Sequence, residues 1–188
     1  MRTAVPLRHA YRLLNHGPTT LVSTAAGGRR NVMAAAWVMP LDFEPPKFAA
    51  VIARDTWTRE LLEASGECVL HAPTSAQVDL TWAVGSSSGR DGDKFARLGI
   101  ATEPAQHVAA PLVAGCAAWL ECRVLPDRPR QDEHDLFVLE CLAAWADDAL
   151  FADGAWRFAA GGPRTIHHGH GGRFFLTGDP VAARRGPD

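Results

Sequence analysis

The segment Arg54-Asp55-Thr56-Trp57-Thr58 brings an arginine and two hydroxyls to the start of a predicted helix. The first N–H groups of a helix lack partners within it, and the helix dipole places positive charge at that end. A phosphate monoester fits such a corner, with Arg54 as a bidentate partner and Thr58 as a hydroxyl donor. The alternative is an ordinary N-cap beside a solvated arginine, and the segment taken alone favours it.

The run 31–37, Asn-Val-Met-Ala-Ala-Ala-Trp, has small side chains at alternate positions of a predicted strand. A flat ligand has room to lie against such a backbone, whose N–H and C=O groups can meet a polar ring edge. Asn31 would then pair with a ring carbonyl. A buried strand whose alanines face a helix is the alternative, and it is favoured while this run stands alone.

Motifs for several other chemistries are missing. The sequence has no GxSxG and no HExxH, and Gly27-Gly28-Arg29-Arg30 leads into a strand rather than into a phosphate-binding helix. His167, His168 and His170 form a cluster that invites a metal interpretation. No cysteine or acidic residue lies nearby at ligand spacing, so we expect no metal site and a solvated histidine cluster.

The elements that position these residues are mainly strands. Alternation and turn residues predict strands over 19–25, 31–41, 47–53 and 68–72, the second and third joined by a proline turn. One helix begins at Asp55 or Thr56 and ends at Gly66, a second begins at Thr74 or Ser75 and runs through Trp82, and a third covers 93–98.

Two longer apolar runs, 116–125 and 133–145, predict an antiparallel hairpin with its turn over 128–132. One strand presents Cys116, Ala118, Leu120, Cys122 and Val124 on one face, and the other presents Phe137, Leu139, Cys141, Ala143 and Trp145. A closed or nearly closed β-barrel with peripheral helices suits this order of elements, whereas a doubly wound sheet requires strict alternation of strand and helix.

Length, apolar content, net charge and cysteine spacing indicate which class of protein this is. A length of 188 residues with 47% apolar content predicts one domain over 1–188, with flexible ends at roughly 1–10 and 179–188. The formal net charge of −2 gives no electrostatic reason to expect nucleic acid or a membrane as partner. Four cysteines without CxxC spacing predict buried free thiols, and with no signal-peptide pattern they indicate a cytoplasmic protein.

Seven stretches, by their order and spacing, resemble the flavin reductase-like, FMN-binding split-barrel family. They are PTTLVST at 18–24, GRRNVM at 28–33, AWVMP at 36–40, FEPP at 43–46, TREL at 58–61, GECVLHAP at 66–73 and SGRDGDKF at 88–95. The resemblance covers roughly residues 11–178. The glycine-rich, histidine-containing stretch 165–175 is similar to the family's C-terminal segment before a final aromatic strand.

The resemblance implies a mainly β fold with peripheral helices (α+β), a six-stranded split barrel that dimerises and holds FMN near the subunit interface. It places the flavin ring against 31–37, the phosphate near 54–58 and the loop at Ser88 beside the cofactor. Relatives often have asparagine where this chain has His71, which is either a ring contact or a satisfied core histidine. The implied cofactor-binding residues are Asn31, Met33, Ala34, Ala35, Ala36, Trp37, Arg54, Thr56, Thr58, His71, Ser88, Gly89 and Lys94.

By this resemblance the protein is an NAD(P)H-dependent flavin reductase, an oxidoreductase that takes a hydride from NADH or NADPH and supplies reduced FMN to a monooxygenase or another acceptor. No acid–base residue is obligatory for this transfer, and His170 and Arg90 are the candidates for the nicotinamide side. Two alternatives stay open: a non-catalytic electron carrier resembling flavoredoxin, and a flavin-binding module that never reduces its ligand.

Overall fold

The described part of the chain, residues 1–184, consists mainly of strands in this computed structural model. In chain order the strands are β1 Arg2–Val5, β2 Thr20–Ala26, β3 Arg29–Ala35, β4 Val38–Phe43, β5 Pro46–Val51, β6 Glu67–Ala72, β7 Thr102–Glu103, β8 Leu112–Val113, β9 Ala118–Leu125, β10 Leu136–Asp147, β11 Phe151–Ala152, β12 Ala155–Trp156, β13 Ile166–His170 and β14 Arg173–Leu176. The helices are α1 Leu7–Ala10, α2 Trp57–Ser65, α3 Val78–Gly85, α4 Lys94–Arg97 and α5 Arg128–His134, with 3-10 turns at Tyr11–Leu13 and Ser75–Gln77.

One antiparallel sheet holds the molecule together, in the order β3-β2-β6-β9-β10-β5-β4, with β1 added beside β10. Its two outer strands, β3 and β4, follow each other in the chain with only Ala36 and Trp37 between them. Three Cα steps span at most about 11 Å. The sheet must therefore curl until the end of β3 and the start of β4 come within that distance, which gives it the shape of a rolled, split barrel. The expected count of six strands is not confirmed, because this sheet contains eight.

The interior of the rolled sheet is filled by inward-facing residues of its strands, among them Phe48, Leu70, Leu120 and Phe137, all at most 1% exposed. A second apolar cluster under α3 and α4 includes Leu21, Val32, Val69, Val84, Phe95 and Trp119. These two clusters give the sheet a buried face on each side around β2 and β6, so even polar residues of these strands, such as Ser23 and His71, are buried.

The prediction of buried free cysteines is confirmed for all four. Cys68, Cys122 and Cys141 are cross-strand neighbours on β6, β9 and β10. Burial raises the pKa of the Cys68 thiol to about 12, and that of Cys116 to about 12 as well. These thiols are packing groups, since the reactive form of cysteine is the thiolate.

Helix α2 begins and ends where the sequence predicts. Thr56 is the N-cap and accepts a hydrogen bond from the Arg59 N–H at 3.2 Å, and Gly66 closes the helix at φ 71°. The buried Arg59 guanidinium pairs with Glu63 at 3.0 Å, donates to the Gln131 carbonyl at 2.8 Å and pairs with Asp135. This network fixes α2 against α5.

Local differences from the predicted elements have identifiable causes. The predicted strand 31–41 is two strands, because the chain leaves β3 after Ala35 and enters β4 at Val38. The predicted turn 128–132 is wrong: it is helix α5, capped by Asp127, whose side chain accepts from the Arg130 N–H, and closed by Asp135 at φ 55°. The second strand of the hairpin therefore starts at Leu136 rather than at Glu133.

The predicted inner face of β10 holds only for its first half. Phe137, Leu139 and Cys141 are buried, but a β-bulge between Cys141 and Ala143 shifts the register. Beyond the bulge Ala144 and Ala146 point into the interior, and Ala143 and Trp145 do not belong to that face.

Within the first ten residues, predicted as a flexible end, β1 pairs with β10 over Arg2–Val5 and α1 follows it; the flexibility of this end stays a prediction. Residues 179–184 have no regular structure, and the rest of the predicted flexible C-terminal end, 185–188, lies outside the described residues. None of the helices in the described part of the chain is long and apolar enough to cross a membrane.

His71 is a satisfied core histidine, one of the two roles left open for it. Its Nδ1 lies 3.1 Å from the Leu21 carbonyl and donates to it, so Nε2 is free to accept from the Val113 N–H at 3.0 Å. Both ring nitrogens are thus used by the neutral ring. Burial lowers the pKa of this histidine to about 4.

This environment predicts acid instability. The folded-state pKa lies below the unfolded value of about 6.5, so the unfolded chain binds the proton first as pH falls and stability is lost between about pH 6.5 and pH 4. From pH 7 to pH 5 we expect a loss of about 2 kcal/mol from this group. The measurement is denaturant unfolding at both pH values for wild type, His71→Gln and, as a control, the exposed His134→Gln. The His71 variant should lose less stability than the other two, and equal losses in all three proteins would contradict the assignment.

Candidate functional site

A groove runs along the outer edge of β3, beneath α2, α3 and the loop that follows α3. At one end lies the apolar cavity, of about 160 Å³, lined by Thr19, Ala34, Ala35, Ala36, Thr81, Trp82, Gly85, His168 and Phe174. At the other end lies the polar cavity, of about 320 Å³, lined by Asn31, Met33, Asp55, Thr56, Trp57, Thr58, Val84, Gly85, Ser86, Ser87, Ser88, Gly89, Arg90 and Lys94. The two cavities share Gly85.

The start of α2 forms one wall of the polar cavity. The N–H groups of Trp57 and Thr58, the first two of the helix, have no carbonyl partner within it. Thr58 is fully buried, and its Oγ1 accepts a hydrogen bond from Asn31 Nδ2 at 2.8 Å. This bond ties the helix start to β3, so the positive end of the helix faces the groove.

Asn31 keeps one polar atom unused. Its Oδ1 is buried and has no hydrogen-bond partner within residues 1–184. Gly89 lies directly over it: a Cβ there would overlap the Asn31 side chain and stand 2.6 Å from Trp57 Cδ1. The glycine thus allows the serine-rich loop to approach β3 closely.

Lys94 supplies a buried positive charge beside the polar cavity. Its Nζ donates to the carbonyls of Val32 at 2.9 Å and Val84 at 2.7 Å. An ammonium group has three donors, so one remains available. Burial lowers the pKa of Lys94 to about 8, which leaves most of the charge in place at neutral pH.

Arg90 stands at the rim of the polar cavity. Its Nη1 donates to the Asp55 carbonyl at 2.8 Å, and its Nη2 pairs with Glu60. Its guanidinium also lies 5.6 Å from the centre of the Trp57 ring, so three contacts hold it in place over the start of α2.

Small residues, Gly85 of α3 and the alanines that follow Met33, form the floor of the apolar cavity. A Cβ on Gly85 would lie 3.1 Å from the Ala34 Cβ, so α3 packs against β3 more closely than a larger residue permits. Thr19 and Thr81 are buried, and the hydroxyl of each has no hydrogen-bond partner in the described residues. The cavity is therefore mostly apolar, with two unused hydroxyls in its lining.

The hairpin β13–β14 supplies the outer wall through His168 and Phe174, whose rings meet edge to face at 5.4 Å. A chain of hydrogen bonds fixes this hairpin to the loop before β2. His16 Nε2 lies 2.8 Å from Thr165 Oγ1, which lies 2.6 Å from Thr177 Oγ1, which lies 2.9 Å from His167 Nε2.

The structure brings most of the predicted site residues together. Ala34, Ala35 and Ala36 line the apolar cavity, and the polar cavity is lined by Asn31, Met33, Thr56, Thr58, Ser88, Gly89, Arg90 and Lys94. These residues come from β3, the start of α2, the loop after α3 and the start of α4.

Four predicted residues lie elsewhere. The Arg54 guanidinium contacts the Asp132 carbonyl and lies 3.9 Å from the Asp135 carboxylate, on the side of α5. Trp37 is the residue after Ala36, which lines the apolar cavity, but the Trp37 side chain is 73% exposed. His71 lies in the core. His170 is exposed at the end of β13 and lines neither cavity.

Sequence reasoning missed several lining residues, chiefly Thr19, Thr81, Trp82, His168 and Phe174. Strand alternation separates His168 from His167 but places it with His170, and only the register shift between His168 and His170 in the hairpin parts those two. Thr81 and Trp82 lie within a short helix, and nothing in their spacing indicates which side of it faces the groove. In residues 1–184, no three side chains of His, Cys, Asp or Glu come together as metal ligands.

A family model, a sequence relative and solved structures were each found to be similar to this chain. Residues 12–166 match the model of the flavin reductase like domain. The chain is 46% identical over 182 residues to YddH of Escherichia coli (strain K12), covering 95% of this chain and 96% of the relative.

Among solved structures, an FMN-binding domain of a flavin reductases-like enzyme from Shewanella baltica OS155 is 44% identical with a TM-score of 0.95, covering 98% of both chains. Flavoredoxin of Desulfovibrio vulgaris (Miyazaki F) is 27% identical with a TM-score of 0.77, covering 89% of this chain and 90% of that one.

Proposed function

Because the chain belongs to the flavin reductase-like domain family, we propose that its groove binds FMN and that the protein is an NAD(P)H-dependent flavin reductase. The resemblance seen in the sequence is thus confirmed, and the fold is that of the family's FMN-binding split barrel. The observation that carries the proposal is the two-ended groove, with a cationic end and an apolar end along one strand edge.

Buried polar atoms without hydrogen-bond partners support the proposal that the groove binds FMN. Asn31 Oδ1 in the polar cavity, and the hydroxyls of Thr19 and Thr81 in the apolar cavity, find no partner within residues 1–184. Leaving such a group unpaired costs about 1–3 kcal/mol. A ligand that is polar along one edge and flat elsewhere would satisfy these atoms where an apolar side chain cannot.

The outer edge of β3 offers further contacts. Lys94 bonds the Val32 carbonyl, so that carbonyl points away from β2, and antiparallel alternation turns the N–H and C=O of Ala34 the same way. These groups have no strand partner, because β3 is the outermost strand of the described sheet. We assign them to the polar edge of the isoalloxazine ring.

The anionic end is assigned to the polar cavity. The free N–H groups at the start of α2, the third donor of Lys94, the serines of the loop and the guanidinium of Arg90 all face it. Arg54 is left out of this set because its guanidinium is held at Asp132 and Asp135 on α5.

Bound FMN would supply the redox chemistry, and the protein's part is to bind, orient and shield it. Trp82, His168 and Phe174 make an aromatic wall at the apolar cavity, suited to a flat donor ring. Of the two residues predicted for the nicotinamide side, Arg90 is assigned here to the phosphate instead, because it lines the polar cavity. His170 remains our prediction for the nicotinamide side, and a monooxygenase remains our prediction for the acceptor. The alternative is an electron carrier, which the likeness to a flavoredoxin favours.

A second copy of the chain is part of the proposal. Trp37, Met39, Leu41 and Phe43 alternate along the edge strand β4 and its approach, and each is more than half exposed. This apolar strip begins next to Ala36, which lines the apolar cavity, so a homodimer formed through it would also wall the groove. We further place the protein in the cytoplasm, where its free thiols persist.

The assignment of the phosphate predicts how arginine variants behave. Arg90→Ala should weaken FMN binding about tenfold and leave riboflavin binding unchanged, because only FMN carries the phosphate. Arg54→Ala is the matched control and should leave both affinities at the wild-type value. Flavin fluorescence titration measures the affinities of wild type and of both variants for FMN and for riboflavin. A loss shared equally by FMN and riboflavin would contradict the placement, and an effect at Arg54 alone would move the phosphate there.

The reductase activity is tested by NADH and NADPH oxidation. Purified protein with FMN should oxidise one of the two donors well above the rate of FMN alone, and the absorbance at 340 nm follows this directly. A protein that keeps its yellow colour on desalting but gives no acceleration would be the electron carrier instead. Protein that does not bind FMN at all would refute both.

The apolar strip predicts a dimer in solution. Met39→Glu should convert it to a monomer and weaken FMN binding, because it puts a charge into a buried interface. Leu98→Glu, at an exposed position away from β4, is the control and should leave the dimer intact. Analytical ultracentrifugation reads out the state, and a monomeric wild type would count against this interface.

A further inference from the structure

A third cavity, which we call the arginine cavity, continues the groove beyond its polar end. It has a volume of about 490 Å³ and is lined by Gly28, Arg29, Arg30, Trp57, Gly89, Arg90, Gly92 and Asp93. Trp57, Gly89 and Arg90 also line the polar cavity, so the two cavities meet across a common wall. The tight β2–β3 turn forms the far side, with Gly27 and Gly28 at φ 55° and 74°.

The three arginines of this cavity differ in how their charges are compensated. Arg30 makes a two-pronged ion pair with Asp93, at 3.1 and 2.9 Å, and Arg90 is paired with Glu60. Arg29 has no carboxylate within 4.0 Å of its guanidinium in the part of the chain that the structure describes. It therefore leaves an uncompensated positive charge at the mouth of the cavity.

Arg29 is also held in position. Its guanidinium lies 4.7 Å from the centre of the Trp57 ring, a distance typical of stacking. In the described residues the Arg29 guanidinium makes no hydrogen bond or ion pair, so its N–H groups remain available beside the indole. A planar cation fixed in this way is suited to a phosphate at its edge and an aromatic base on its face.

We propose that the arginine cavity binds the second phosphate and the nucleoside of a flavin dinucleotide, so that this protein binds FAD more tightly than FMN. The inference rests on the proposed function, since it needs the first phosphate in the polar cavity. The two phosphates of a dinucleotide share one bridging oxygen, so their sites must adjoin. The common wall of Trp57, Gly89 and Arg90 provides that adjacency.

The test compares FMN, FAD and riboflavin binding to wild type, Arg29→Ala and Arg8→Ala by flavin fluorescence titration at one ionic strength. Wild type should bind FAD about tenfold more tightly than FMN, and Arg29→Ala should remove this difference by weakening FAD alone. Arg8, an exposed arginine that lines none of these three cavities, is the control, and its variant should keep the full preference.

Each other outcome has a defined meaning. Equal affinity of wild type for FAD and FMN overturns the inference and leaves the proposed function standing. An Arg29 variant that weakens FMN and FAD by the same factor also overturns it, since the arginine would then act on the first phosphate. Failure of wild type to bind either flavin refutes the proposed function itself, and this inference with it.

Discussion

The outer backbone edge of β3 has no strand beside it in the described sheet, and the groove exists because of that missing partner. An unpaired strand edge normally has to be covered or used. Here α2, α3 and the serine-rich loop lie over it, but Gly85 and the alanines of β3 are too small to fill the space between. Lys94 satisfies one edge carbonyl, and the remaining groups stay open to a ligand.

The same topology explains why the groove lies at the barrel's split. Since β3 and β4 are the two ends of the sheet order and only two residues apart in the chain, rolling the sheet brings its two free edges together. One edge is lined by small side chains, and the other carries large apolar ones that face outward. A surface of that second kind is usually an interface, so the proposed binding groove and the proposed subunit contact adjoin.

Charge is graded along the groove. Its apolar end is walled by aromatic residues, its middle contains one buried ammonium group and the start of a helix, and its far end contains three arginines. The wall at the apolar end depends on a hairpin fixed by a chain of four hydrogen-bonding side chains. A ligand that is flat at one end and anionic at the other binds in one orientation, with its flat end at the aromatic wall and its anionic end at the arginines.

The amino-acid sequence by itself determined the features that depend on neighbours in the chain. Thr56 and Gly66 delimit α2, Pro45 separates β4 from β5, and the order of motifs places the chain in its family. About half of the residues that line the apolar and polar cavities could also be named, because they lie within those motifs. These predictions work because a cap or a turn is decided within a few residues.

Only the tertiary structure decided which side chains meet. Arg54 precedes α2 as predicted, but carboxylate and carbonyl groups about eighty residues later hold it away from the groove. His71 became a core residue because Leu21 and Val113 occupy both ring nitrogens, and Thr19 and Thr81 joined the lining from separate elements. Such contacts depend on how strands pair across the sheet, and no local pattern of residue types contains that information.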